Sequence, residues 1–146
     1  MEALKKYFGF SGLREGQDQV VASIMEGRNV LVVMPTGGGK SLCYQLPSLC
    51  RAGVCLVVSP LIALMKDQVE ELQKRGIVAE AIYTGMGKEQ IESTLNKAIA
   101  GKIKFLYVSP ERLASEQFRA RLKQMHLSML AVDEAPVSYT HLTLPT

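Results

Sequence analysis

Eight consecutive residues, Met34-Pro35-Thr36-Gly37-Gly38-Gly39-Lys40-Ser41, place three glycines directly ahead of a lysine and a hydroxyl. Glycines let successive backbone N–H groups turn toward one anion, and a helix opening here adds the positive end of its dipole. Thr36, Gly37, Gly38 and Gly39 then cradle the phosphates of ATP, the Lys40 ammonium reaches the β and γ phosphates, and the Ser41 hydroxyl ligates Mg2+. The strict form of this pattern begins with Gly where this chain has Met34, while Gly39, Lys40 and Ser41 keep their places. Far along the chain stands an acidic pair, Asp133-Glu134, behind the apolar run 129–132. Carboxylates ending a buried strand are often no more than solvated surface. Behind a phosphate loop they have work: Asp133 holds the Mg2+ shell and Glu134 positions the water that attacks the γ phosphate. Lys40, Asp133 and Glu134 are therefore the catalytic candidates.

These groups need a rigid frame, and the periodicity supplies one. Residues 15–26 set Gln17, Val20, Val21, Ile24 and Met25 at helical spacing, with Gly27 as a stop. The continuous apolar run 30–34 reads as a strand covered on both faces and leads into the glycines. The alternation repeats with a strand over 54–58, a helix over 61–75 with Ile62, Met65, Val69 and Leu72 on one face, and Gly76 closing it. A weaker strand over 78–83 precedes a helix carrying Ile91, Leu95 and Ile99. A strand over 105–108 precedes one carrying Phe118, Leu122 and Met125, and the strand 129–132 follows. Strands alternating with helices of about 12 residues predict an α/β fold with a parallel sheet and helices on both faces. In such sheets ligands gather at the carboxyl ends of the strands, where the glycine loop, Ser59, Ser109 and Asp133 all fall.

Ser59-Pro60 and Ser109-Pro110 each end a strand, and their hydroxyls and the helix N-termini behind them suit a nucleic-acid backbone. Gln68 and Arg112, with Lys66, are helpers in that reading, although a polar residue on an exposed helix face is usually just solvated.

Composition bounds the rest. A chain of 146 residues with 47% hydrophobic content supports one domain with a sizeable core. The balance of 17 Lys plus Arg against 14 Asp plus Glu neither demands nor excludes a nucleic-acid partner. No run approaches the roughly 18 apolar residues of a membrane span, and the N-terminus lacks a signal-peptide core, which predicts a cytoplasmic protein without membrane contact. Cys43, Cys50 and Cys55 lie in apolar stretches without CxxC spacing, so reduced core thiols are expected, and His126 stands alone without a role. Residues 136–146 hold no Asp, Glu, Lys or Arg and are similar to a translated adapter read-through, so they are set aside as non-native.

Several blocks, in order, resemble the RecQ family of superfamily 2 helicases. Phe8-Gly9-Phe10-Ser11-Gly12-Leu13-Arg14-Glu15-Gly16-Gln17 is similar to the family's adenine-recognition motif, and residues 34–47 to motif I. Residues 58–68, beginning Val58-Ser59-Pro60-Leu61, resemble motif Ia, residues 106–113 motif Ib, and Val132-Asp133-Glu134-Ala135 the start of the DEAH box. The resemblance implies that residues 1–135 are a first RecA-like, ATP-binding motor domain that ends just after the Walker B acidic pair. Pro136 stands where the family has His, and the aromatic-rich loop and second motor domain, with its arginine finger, are not in this sequence.

By the same resemblance Gln17 bonds the adenine edge, Arg14 supports the pocket and Phe10 stacks on the base. A carboxamide offers both a donor and an acceptor, which suits adenine's N6 and N7. The function implied is ATP-driven translocation on single-stranded DNA and unwinding of forked duplex with 3′ to 5′ polarity, and these residues alone are expected only to bind nucleotide. An RNA helicase of the DEAD-box type is the second reading, but that group carries Pro-Thr-Arg-Glu where this chain has Ser59-Pro60-Leu61-Ile62. A nucleotide-switched binding module is the third, and Glu134 argues against it because a switch gains nothing from a water-positioning carboxylate.

Overall fold

A computed structural model describes residues 3–9, 12, 17–26 and 40–133. The chain divides into two compact units, Met1–Ala52 and Gly53–Thr146. The expected strand at 30–34 lies outside the described residues.

The described residues of the first unit are largely helical. A π-helix at Leu4–Phe8 ends on Gly9, whose φ of 73° is left-handed and whose N–H returns to the Lys5 carbonyl at 3.1 Å. It is followed by α1 (Gln17–Met25) and α2 (Lys40–Leu49). Leu4, Leu42 and Leu46 are buried together, with Ala3, Phe8 and Val21 against them. The Arg51 guanidinium donates to the Ile24 carbonyl and ties the end of α2 back to α1. Pro47 sits inside α2 and removes one helical donor. The next residue, Ser48, is fully buried and satisfies its hydroxyl by donating to the Tyr44 carbonyl at 2.8 Å.

The second unit is an α/β layer structure. Its order is β1 (Val54–Val58), α3 (Ile62–Lys74), β2 (Ala79–Ile82), α4 (Lys88–Ile99), β3 (Phe105–Val108), α5 (Pro110–Leu113), α6 (Glu116–Leu122) and β4 (Leu127–Val132). The four strands form one sheet in the order β2-β3-β1-β4, and every pairing is parallel. Every residue of β1 and β3 is buried, as expected of strands covered on both faces.

The chain moves in one direction from β1 to β2 and in the other from β2 through β3 to β4. Right-handed crossovers then put α3 on one face and α4 to α6 on the other. The packing agrees: Val54, Leu56, Val58, Leu106 and Val108 share a core with Leu95, Ala98, Leu113, Phe118 and Leu122. Met65 and Leu72 of α3 are also fully buried, and α3 packs on β2 and β3.

Boundaries follow local chemistry. At the end of α3 the Gly76 N–H bonds the Gln73 carbonyl and the Ile77 N–H bonds the Leu72 carbonyl, both at 3.0 Å, with Gly76 at φ 78°. This is the Schellman arrangement, and buried Ile77 and Leu72 supply its hydrophobic contact. The single helix expected around residues 118–125 is instead two. Ser109-Pro110 starts the short α5, and Ser115 starts α6 by accepting the Phe118 N–H at 3.2 Å. Met125 falls beyond α6 yet stays in the core. Of the thiols, Cys43 and Cys55 are buried and Cys50 is exposed, so the expectation of three core thiols fails at Cys50. Burial pushes the Cys43 thiol pKa up.

Candidate nucleotide and nucleic-acid site

Three polar residues collect at the carboxyl ends of adjacent strands. Ser59 follows β1, Ser109 follows β3 and Asp133 follows β4, and they are 1%, 4% and 4% exposed. The backbone fixes their positions. The Ser59 N–H donates to the Val108 carbonyl at 3.0 Å, and the Asp133 N–H to the Val58 carbonyl at 2.8 Å. Each bond carries a parallel ladder one residue past its strand, so the side chains leave the sheet in set directions. The connections leaving β1 and β3 run to opposite faces, which makes the gap between these neighbours the switch point where open α/β sheets bind ligands.

The electrostatics of this edge centre on Asp133. Its Oδ2 accepts a hydrogen bond from Nε2 of Gln68, 3.0 Å away on α3. The hydroxyls of Ser59 and Ser109 are buried and carry no hydrogen bond among the described residues. Buried hydroxyls are normally paired, so these two can take a ligand's oxygen. Pro60 is exposed and Arg112, on α5, is half-buried. At the end of β2, Tyr83 lies under the Lys66 ammonium, 4.5 Å from the ring centroid.

The structure thus brings Ser59, Ser109, Gln68 and Asp133 to one sheet edge. It attaches Gln68 to the acidic residue, a contact the sequence reading missed because it spans 65 positions. Lys40 and Ser41 are the first residues of α2, and Gln17 is the first of α1 and is buried, 3% exposed. Phe10, Arg14, Thr36, Gly37, Gly38, Gly39 and Glu134 lie outside the described residues. Among the described residues no three His, Cys, Asp or Glu converge as a metal cage. Mg2+ bound with nucleotide needs no such cage, since one or two protein oxygens complete a shell built from phosphates and water. A buried carboxylate at a ligand-binding edge fits that need, and a serine hydroxyl is the right kind of second donor.

A parallel α/β sheet with a carboxylate at its ligand-binding edge defines a class of nucleotide-binding domains, and comparison narrows it. The sequence pattern of the DEAD/DEAH box helicases matches residues 14–139, and the chain belongs to that family. It is 45% identical over 135 residues to the ATP-dependent DNA helicase RecQ of Haemophilus influenzae, covering 92% of this chain and 22% of that protein. It is 44% identical over 133 residues to the RecQ helicase of Bacillus subtilis, covering 90% of this chain and 22% of that protein. The chain therefore spans about a fifth of these relatives' length.

Among solved structures, the helicase MrfA bound to DNA and AMPPNP matches with a TM-score of 0.73 at 22% identity, over 90% of this chain and 20% of that one. A hypothetical ATP-dependent RNA helicase from Sulfolobus tokodaii matches with a TM-score of 0.64 at 18% identity, over 97% of this chain and 52% of that one. Both likenesses concern the fold. No helix among the described residues is long and apolar enough to cross a membrane.

Proposed function

We propose that this chain is the nucleotide-binding part of the first motor domain of an ATP-dependent DNA helicase of the RecQ type. The observation that carries the reading is the buried Asp133, fixed at the carboxyl end of β4 next to β1, on the same sheet edge as the Ser59 and Ser109 hydroxyls, which have no hydrogen bond among the described residues. Lys40 faces the β and γ phosphates, with Thr36 and Gly37 to Gly39 presenting backbone N–H groups. Ser41 and Asp133 are the residues that would hold Mg2+, which when bound offsets phosphate charge. Glu134 orients the attacking water, and Gln17 reads adenine with Phe10 and Arg14 around the base.

Ser59 and Ser109 receive backbone oxygens of single-stranded DNA in the crevice between β1 and β3, with Pro60 and Arg112 at its rim. Residues 1–135 are the domain and 136–146 a non-native tail. The whole protein works in the cytoplasm with a second motor domain, which closes over the γ phosphate. DNA is preferred to RNA because the similar curated relatives are named DNA helicases and residues 59–62 lack the DEAD-box Pro-Thr-Arg-Glu block.

The test is strand displacement by the full-length protein on forked duplexes bearing a single 3′ or 5′ tail. ATP-dependent release from the 3′-tailed fork alone is expected. Release from RNA duplexes only, or from the 5′-tailed fork only, sinks the reading.

A further inference from the structure

Asp133 is 4% exposed, and a buried carboxylate has a defined orientation only if donors fix it. One donor is Nε2 of Gln68, at 3.0 Å from Oδ2. The amide's orientation follows from chemistry: an ionised carboxylate only accepts, so the NH2 end of Gln68 must face it. A lysine or arginine in that place would pair the charge and weaken its pull on a cation. A neutral amide holds the oxygen without itself adding a charge that competes with a cation. Gln68 lies in the middle of α3, whose Met65 and Leu72 are fully buried, so the donor is mounted on an anchored helix.

We infer that Gln68 is a positioning residue for the Mg2+ site, setting the rotation of the Asp133 carboxylate, rather than a contact for nucleic acid. The inference rests on the assignment of Asp133 to the metal shell. Partners that orient a ligating carboxylate from behind typically change metal affinity by about 10- to 100-fold when removed. α3 begins just after Ser59-Pro60, so the helix that carries this donor also adjoins the crevice proposed for DNA.

The experiment uses the 146-residue chain with a fluorescent ATP analogue, titrating Mn2+ as the metal probe and reading free metal by electron paramagnetic resonance. Gln68→Met keeps length and volume but removes the donor. It is expected to weaken metal binding by about 10- to 100-fold in a variant that remains folded by circular dichroism, so that the ratio of nucleotide affinity with metal to that without metal collapses. Gln68→Glu, which sets a like charge against Asp133, should lose at least as much, and it decides the matter if Gln68→Met does not fold.

Asp133→Ala separates the two layers. If it leaves metal binding intact, the metal-shell assignment fails. If it abolishes metal binding while the folded Gln68 variant binds metal like the parent, the positioning role alone is overturned. Weakened binding of a single-stranded oligonucleotide by Gln68→Met with unchanged metal affinity overturns it as well, and returns Gln68 to the nucleic-acid surface.

Discussion

The Asp133 N–H donates to the Val58 carbonyl at 2.8 Å, one residue beyond the last β1/β4 pair, Val58 with Val132. The acidic residue is thus held by the β1/β4 ladder, as Ser59 is held on the other side of β1 by its bond to Val108 in the β1/β3 ladder. Anything that disturbs how β1 and β4 meet at their starts will be felt by the whole ladder.

Gly53 guards that start. Its φ is 105°, and a Cβ there would lie 2.7 Å from the His126 carbonyl oxygen and 3.1 Å from the Ser128 nitrogen, both backbone atoms. Gly53→Ala therefore meets both backbone strain and a clash, and should cost about 1–3 kcal/mol. Denaturant unfolding followed by circular dichroism checks this, and an unchanged midpoint would show that the β1/β4 entry yields without cost.

Lys40→Ala should weaken binding of a fluorescent ATP analogue by about 10- to 100-fold, the effect of losing a charged hydrogen-bond partner worth about 1.5–3 kcal/mol. A folded variant with parental affinity would sink the phosphate-loop assignment.

Gln17→Ala should weaken ATP binding by about 1–3 kcal/mol and erode preference over GTP, while the triphosphate contacts persist. Competition titrations with both nucleotides measure it, and equal losses would show that Gln17 does not read the base.

Thiol labelling distinguishes the cysteines. Cys50 is exposed, whereas Cys43 and Cys55 are buried and desolvation pushes the Cys43 thiol away from its reactive thiolate. One rapid equivalent of alkylation is expected in the folded chain, at Cys50 by peptide mapping, and three in denaturant. Rapid labelling of Cys55 would contradict the β1 packing.

Much of this was legible in the sequence, for definite reasons. The strands 54–58 and 105–108 were readable because burial on both faces leaves uninterrupted apolar runs, and Gly76 marked its helix end because the Schellman turn needs its left-handed φ. The split between α5 and α6 was not, because Ser115 caps α6 in the middle of an apolar pattern that stays helical in period. The start of β4 at Leu127 was also hidden: the register shifts between Val54 and Cys55, so alternation breaks there. Cys50 looks apolar in sequence but falls in the turn just past α2 and is exposed. At the candidate site, the apolar runs ahead of them placed Ser59, Ser109 and Asp133 at strand ends, where the structure has them. The partner of Gln68 could not be read, because a contact across 65 positions leaves no local pattern.

The central claim is that Lys40 and Asp133 belong to a DNA-driven motor whose catalytic power depends on a second domain. ATP hydrolysis with and without single-stranded DNA tests it, for the 146 residues alone and for the same residues joined to the second motor domain of a RecQ relative. Alone, the chain should bind ATP with Mg2+ yet show no DNA-stimulated turnover, since an arginine contributed across the cleft is worth about 10³ to 10⁵ in rate for related enzymes. Joined, it should hydrolyse ATP faster with DNA than with RNA. Robust DNA-stimulated turnover by the 146 residues alone, or none in the folded joined protein, would contradict the account.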